Sequence, residues 1–273
     1  MPPTPPELVV VRGGGDIATG IVWRLTRAGW PVVVTELARP LTVRRRVALS
    51  SAVLEGTSEV EGLVAERVAN PRQAIERLSA GVVPVVIAPD LPSFDPLRID
   101  VLVDARLTKR DIDTSVTDAP LVIGVGPGFT VGTHCHAVIE TQRGHRLGRC
   151  LWDGAAAPDT GVPGTIGGES TRRVLRATTA GTVEWRVEIG DRVVTGQRLG
   201  QVKPVASLPV ELPAPFDGIV RGLIADGTEV PAGLKIGDVD PRSDRRACFE
   251  ISDKALAIAG GVVEAILSRM ARR

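Results

Sequence analysis

Residues 177–202 read ATTAGTVEWRVEIGDRVVTGQRLGQV, and residues 214–239 read APFDGIVRGLIADGTEVPAGLKIGDV. The second segment repeats the first at an offset of 37 residues, with Gly181 falling on Gly218. Ala177 then falls on Ala214, Val183 on Val220, Gly190 on Gly227, Val193 on Val230, Gly196 on Gly233, Leu199 on Ile236, Gly200 on Gly237 and Val202 on Val239. Turn glycines and alternating apolar residues that recur in register predict one strand–turn–strand unit built twice. A single hairpin is marginal in water, whereas two such units can bury each other's apolar face. This predicts a small all-β module over residues 171–240. The segment before it, Gly161-Val-Pro-Gly-Thr-Ile-Gly-Gly168, reads as a linker or long loop.

The 273 residues allow two domains. A formal net charge of +1 and 3% aromatic residues disfavour a nucleic-acid surface, which needs a basic field or stacking platforms. The run Arg44-Arg45-Arg46 is the local exception, and on a helix it reads as a solvated face. No apolar run reaches membrane-spanning length. The start, MPPTPPE, lacks the basic and apolar regions of a secretory signal. An odd count of three cysteines argues against a disulfide framework and for a reducing, cytoplasmic setting.

Residues 7–153 read as an α/β domain. Leu8-Val-Val-Val11 suits a buried parallel strand, followed by Arg12-Gly13-Gly14-Gly15-Asp16. A helix through Ile17, Ile21, Val22 and Leu25 leads to the next strand, Pro31–Thr35, with Glu36 at its end. Gly13-x-Gly15-x-x-Ala18, set between strand and helix, matches a dinucleotide fingerprint. There the glycines would approach a phosphate at a helix N-terminus, and Glu36 would reach a ribose hydroxyl. The same pattern also fits a ligand-free tight turn, and Asp16 would repel a pyrophosphate. Further strands are predicted at Gly62–Val68, Val83–Ala88, Asp100–Asp104 and Leu121–Val125, with a helix capped by Asn70 and begun by Pro71. A second glycine loop carries Gly126 and Gly128. Asp104, Arg106 and Lys109 stand at another strand end, where the cations could meet phosphate or pair with Asp104 or Asp111.

All three histidines lie near Cys135, as His134, His136 and His145. No zinc-type spacing occurs, so no metal site is predicted. On an extended chain Cys135 points away from His134 and His136. It reads either as a thiolate nucleophile assisted by His136 or His145 or as a buried structural cysteine.

Several blocks, VVVRGGGDIATGI, VTELARPLTVRR, VDARLTKR, GVGPGFTVGTHCHAVIETQRGHRLG and GLKIGDVDPR, resemble the YqeB-like accessory proteins of selenium-dependent molybdenum hydroxylase systems. The first half resembles the Rossmann domain of XdhC/CoxI-type maturation proteins, and the repeat resembles a biotinyl/lipoyl carrier barrel. The resemblance implies a Rossmann-like parallel-sheet domain, a barrel-sandwich module and a C-terminal helix. It implies an accessory role in maturing a molybdenum hydroxylase, with that enzyme or its other maturation proteins as partners. The implied ligand is an NAD(P)-like dinucleotide or the molybdenum pterin cofactor. The family motif positions fall on Arg12, Gly13, Gly15, Asp16, Glu36, Asp104, Lys109, Gly126, Gly128, Cys135, His136, Glu140, Arg143 and His145. Before Cys135 an acid is expected, and His134 stands there. Lys203 precedes a proline and lacks the carrier context, so no covalent biotin or lipoate is expected.

Two other readings stand beside this one. An NAD(P)-dependent oxidoreductase would use the same fingerprint, and a non-catalytic scaffold would use the β module to dock a partner enzyme. Whether the chain catalyses anything is open. A C-terminal segment over 247–273 is predicted as a strand followed by an amphipathic helix from Asp253, with Leu256, Ala259, Val263, Ile266 and Met270 as its stripe. Its Gly260-Gly261 pair predicts close packing against the first domain or a second copy of the chain, which would make a homo-oligomer.

Overall fold

The computed structural model describes residues 8–271 except 162–163, 165–166 and 243. The MPPTPPE start, and part of the expected linker, lie outside the described residues. The chain forms two compact units that do not follow chain order. Unit 1 contains residues up to Pro40, then Ala48–Thr160 and Ile251 onward, whereas unit 2 contains Leu41–Val47 and Gly161–Glu250.

In unit 1, β1 (Val9–Arg12) leads to α1 (Asp16–Arg27) and β2 (Val32–Glu36). There follow α2 (Ser51–Glu55), β3 (Thr57–Val60), β4 (Leu63–Val68), α3 (Pro71–Arg77) and β5 (Val83–Ile87). The rest of the sheet is β6 (Val101–Asp104), β7 (Leu121–Val125), β8 (Ala137–Ile139) and β9 (Cys150–Leu151). The nine strands run in the order β3-β4-β5-β2-β1-β6-β7-β8-β9. All pairs from β4 to β8 are parallel, and the two edge pairs are antiparallel. Asn70 caps α3 by accepting the Gln73 N–H at 2.9 Å, as its sequence predicts.

The valine-rich strands are buried on both faces, which fits parallel pairing. On one face α1 packs on β1 and β2, and the last helix of the chain, residues 253–270, packs on β7, β8 and β9. On the other face Val10, Val33, Leu102, Val122 and Val138 meet Phe94, Phe129 and Cys135. That second face is covered by α3 together with loop segments. No helix joins β6 to β7 or β7 to β8. The expected Rossmann-like parallel sheet is therefore corrected to a mixed sheet with antiparallel edges. A doubly wound fold needs a helical crossover after each strand, and residues 105–136 carry no helical period.

Unit 2 contains β10 (Val174–Arg176), β11 (Gly181–Trp185), β12 (Arg192–Val193) and β13 (Arg198–Lys203) from the first repeat. The second repeat supplies β14 (Val210–Pro213), β15 (Gly218–Leu223), β16 (Glu229–Val230) and β17 (Lys235–Asp240). One antiparallel sheet is ordered β10-β17-β15-β12, the other β14-β13-β11-β16. Advancing each strand by one repeat turns one sheet into the other, so each sheet mixes strands of both repeats. The paired positions Val183/Val220, Leu199/Ile236 and Val202/Val239 share one core. Gly196 and Gly233 have φ of 78° and 83°, a conformation that favours glycine. The expected biotinyl/lipoyl barrel is corrected to two separate four-stranded sheets. Lys203 pairs with Glu184 at 2.5 Å on this surface.

The last helix, α4 (Asp253–Met270), is capped by Ser252. Its buried positions are Ala255, Ile258, Ala259, Gly261, Val262, Ala265 and Ile266; Ala259 and Ile266 lie on the expected stripe, and Ala255 and Val262 are buried one residue before the expected Leu256 and Val263. Small residues turn inward because the backbones approach closely. A Cβ on Gly20 would meet Ala255, and one on Gly261 would collide with the Gly148 carbonyl, while Gly260 faces open space.

Candidate functional site

The parallel strands of unit 1 end together at one edge of the sheet, where the loops after β1, β2, β6, β7 and β8 converge. Lys254 of α4 interacts electrostatically with Asp16 at the start of α1. Arg269, near the other end of α4, interacts with His136, which precedes β8. The α4 helix thus begins at the carboxyl edge, where α1 also begins. Two helix N-termini there bring positive dipole ends together. The loop after β6 places Leu107, Lys109 and Asp111 at φ of 58°, 67° and 51°. Non-glycine residues in this region are uncommon and gather at functional sites.

Arg12, 2% exposed, donates to Asp113 at 2.8 and 3.1 Å, to Thr114 Oγ1 at 2.8 Å and to the Pro89 carbonyl at 3.1 Å. Asp104, fully buried, accepts from the Arg106 backbone N–H at 3.2 Å, its Nε at 3.0 Å, its Nη2 at 2.6 Å and Thr114 Oγ1 at 2.6 Å. Arg106 also pairs with Asp113. The hydrogen bond from Arg106 is the main reason the Asp113 carboxyl lies well below the usual carboxylate range, with Arg12 adding to it. These five residues form one closed network, so Arg106 takes the ion-pair role. Lys109 pairs with Asp159 at 2.8 Å.

The glycine loop is also closed by its own chain. Gly14 N–H donates to Glu36 Oε2 at 2.8 Å, and Leu37 N–H donates to Glu36 Oε1 at 2.7 Å. Burial pushes the Glu36 carboxyl up, against the pull of those two amides. Both of its oxygens are thus engaged by backbone, not poised for a ribose. The Gly14 carbonyl accepts from Ser50 N–H at 2.8 Å, and a Cβ on Gly14 would lie 2.9 Å from Ser50 N. Gly13 packs on Ala105 and Arg106, Gly126 on Thr141, and Gly128 on the Lys109 carbonyl. Close backbone approach therefore accounts for these glycines without a pyrophosphate. Gly15 caps α1 with no side-chain acceptor, and Asp16 stands in its first turn.

The cysteine–histidine stretch shares no hydrogen bond with that network among the described residues, although Cys135 lies within electrostatic reach of Asp104. Cys135 is fully buried, and its Sγ faces the Thr130 carbonyl at 3.9 Å. Burial pushes its thiol up to about 11, the opposite of thiolate activation. His136 Nδ1 accepts the Val122 N–H at 3.0 Å, and burial, then Arg269, lowers its pKa. His134 Nδ1 accepts the Thr130 N–H at 3.0 Å. His145 is exposed. No hydrogen bond among the described residues joins Cys135 to either expected partner. Among the described residues no group of three or more His, Cys, Asp or Glu side chains could hold a metal.

Sequence reasoning missed Lys254, which is followed by no recognisable motif. It is half-buried and makes no hydrogen bond or ion pair among the described residues. Burial lowers its pKa, and Arg143 and Lys109 lower it further against Asp16 and Glu140. Arg143 is held by Asp253 at 2.9 and 3.1 Å. Glu140, 2% exposed, accepts the Gln142 and Ala157 N–H groups at 2.7 and 2.8 Å.

No family model matches the chain. The chain is similar to "Uncharacterized protein YqeB" of Escherichia coli K12, 43% identical over 268 residues that cover 98% of this chain and 49% of that protein. It thus spans about half the length of the curated relative it matches. Among solved structures, an aspartoacylase family protein of Mesorhizobium loti aligns over 88% of this chain and 87% of its own, at 14% identity and a TM-score of 0.30. The apo ectoine utilization protein EutE of Ruegeria pomeroyi aligns over 87% and 86%, at 12% identity and a TM-score of 0.28. A succinylglutamate desuccinylase/aspartoacylase of Rhodobacter sphaeroides is 26% identical over 28% of this chain and 24% of its own, at a TM-score of 0.25. Scores this low carry no reaction over to this chain. The expectations of an XdhC/CoxI-like half, of selenium-dependent molybdenum hydroxylase maturation and of a nucleotide or pterin cleft are corrected here. No helical crossover joins β6, β7 and β8, backbone N–H groups take both Glu36 oxygens, protein atoms pack against the loop glycines, and the name of the curated relative states no activity. Among the described residues no helix is long and apolar enough to cross a membrane.

Proposed function

We propose that unit 1 binds a small anionic molecule at the carboxyl edge of its sheet, with Lys254 as the central contact. The carrying observation is the half-buried Lys254 ammonium, whose donors meet no acceptor among the described residues. A buried ammonium is costly unless paired, and an anion would pair it. The α1 N-terminus, lacking a side-chain cap, supports the same reading, as do the neighbouring Arg143 and Lys109. The closed networks around Arg12, Arg106 and Glu36 would serve as a rigid floor for the ligand. Three free cysteines fit a cytoplasmic home for this activity.

Titration calorimetry with phosphate, pyrophosphate, succinate and citrate tests the reading. At least one anion binds, and Lys254→Met weakens it tenfold or more. An anion raises the depressed pKa of Lys254, so binding takes up protons and weakens as pH rises through the free-state value. No binding by any of these anions, or unchanged affinity in Lys254→Met, overturns the proposal.

A further inference from the structure

Unit 2 holds a second concentration of charge, unrelated to Lys254. The side chains of Arg173 and Arg221 are 9% and 8% exposed, and those of Asp238 and Asp240 are each 2% exposed. Arg44, from the segment Leu41–Val47, is buried beside them. The arginine run is therefore docked rather than solvated. Arg44 Nη2 donates to the Ala247 carbonyl at 2.9 Å, and Arg45 Nε to the Leu223 carbonyl at 2.8 Å. A Cβ on Gly222 would lie 2.8 Å from the Val43 carbonyl, so this segment lies close over β15.

The two aspartates are largely spoken for. Asp240 Oδ1 accepts from the Arg242 backbone N–H at 3.0 Å and its Nε at 2.9 Å, and Oδ2 accepts from its Nη2 at 2.7 Å. Asp238 Oδ1 is bonded by Arg173. Arg221 approaches these carboxylates only at 3.7 and 4.0 Å, beyond hydrogen-bond length. Its buried Nε has no partner, and its guanidinium makes no hydrogen bond among the described residues. Two buried arginines, with a third beside Arg221, thus share two buried carboxylates. A guanidinium nine-tenths buried with its donors unserved is rare and costly.

We propose that unit 2 binds a small inorganic oxyanion, of the phosphate or sulfate class, on the Arg221 guanidinium. The planar fork of an arginine matches two oxygens of such an ion, a geometry a lysine cannot reproduce. The nearby positive charge of Arg44 and Arg173 adds attraction, and the low-dielectric surroundings strengthen it.

Thermal unfolding is measured in phosphate and in chloride at matched ionic strength, for the full chain, for Lys254→Met, and for Arg221→Met and Arg221→Lys each made in the Lys254→Met background. Phosphate raises Tm saturably in the wild type and in Lys254→Met, does not in the double variant with Arg221→Met, and needs roughly tenfold higher concentration in the double variant with Arg221→Lys. Chloride does not reproduce the effect. Crystals of the wild type grown with arsenate give an anomalous peak within hydrogen-bond distance of Arg221, a readout independent of how the variants fold. A phosphate shift that survives in the folded Lys254→Met, Arg221→Met double variant, an equal shift with chloride, or only water at Arg221 in those crystals overturns the proposal. Loss of binding in Lys254→Met with the Arg221 effect retained separates this site from the one in unit 1.

Discussion

The two units handle buried arginine in opposite ways. In unit 1, Arg12 and Arg106 face Asp104 and Asp113, and each of these four charges is met by hydrogen bonds of ordinary length or shorter. In unit 2, Arg173 and Arg221 face Asp238 and Asp240 with Arg44 close to Arg221, and Arg221 is left without a hydrogen bond among the described residues. A balanced network fixes loops and asks nothing of solvent or ligand. An unbalanced one creates a demand that an added anion can satisfy.

The largest expected effect tests whether the unit 1 network is as closed as its geometry says. Asp104→Ala removes the fully buried carboxylate that accepts from Thr114 and Arg106, leaving Arg106 only the half-exposed Asp113, and costs about 3–5 kcal/mol by analogy with broken buried ion pairs, read by urea unfolding. A loss below about 1 kcal/mol, the level of an exposed pair, would erase the contrast between the units.

A smaller effect separates glycines that allow close approach from those that do not. Gly261→Ala drives a methyl into the Gly148 carbonyl and destabilises by roughly 1–3 kcal/mol. Gly260→Ala meets open space and gains up to about 1 kcal/mol from helix propensity. Equal effects at the two positions would show that α4 does not dock on the sheet through Gly261.

The smallest effect compares thiols in both units. Burial pushes Cys135 to about 11 and Cys150 to about 12, and raises Cys248 as well. Native protein near neutral pH therefore reacts slowly with iodoacetamide at all three, and reaction becomes fast only in denaturant. Rapid labelling of Cys135 in the native state would restore it as a candidate nucleophile.

Much of the local structure was legible in the sequence. The valine-rich runs gave β1, β2 and β7, Asn70-Pro71 gave the start of α3, and the repeat gave a doubled strand–turn–strand unit with matching core positions, which the structure divides into eight short strands. The candidate site was far less legible. Gly13-x-Gly15-x-x-Ala18 describes a turn that can approach a phosphate or a protein backbone equally well. The choice fell to Ser50, distant in sequence, whose N–H bonds the Gly14 carbonyl. Lys254 is one lysine among the surface charges until α4 folds back and buries it beside Arg143 and Lys109.

Taken alone, the sequence determined the period of each strand and helix, the doubled β unit and the cysteine count that argues against a disulfide framework. These are local or self-repeating properties, encoded in residue spacing. The tertiary structure decided that the strands of the two repeats exchange between sheets and that Leu41–Val47 joins unit 2 while α4 joins unit 1. It also decided which arginines find carboxylates. Burial and pairing depend on which distant segments meet, and a charge's energy is set by that company rather than by its neighbours in the chain.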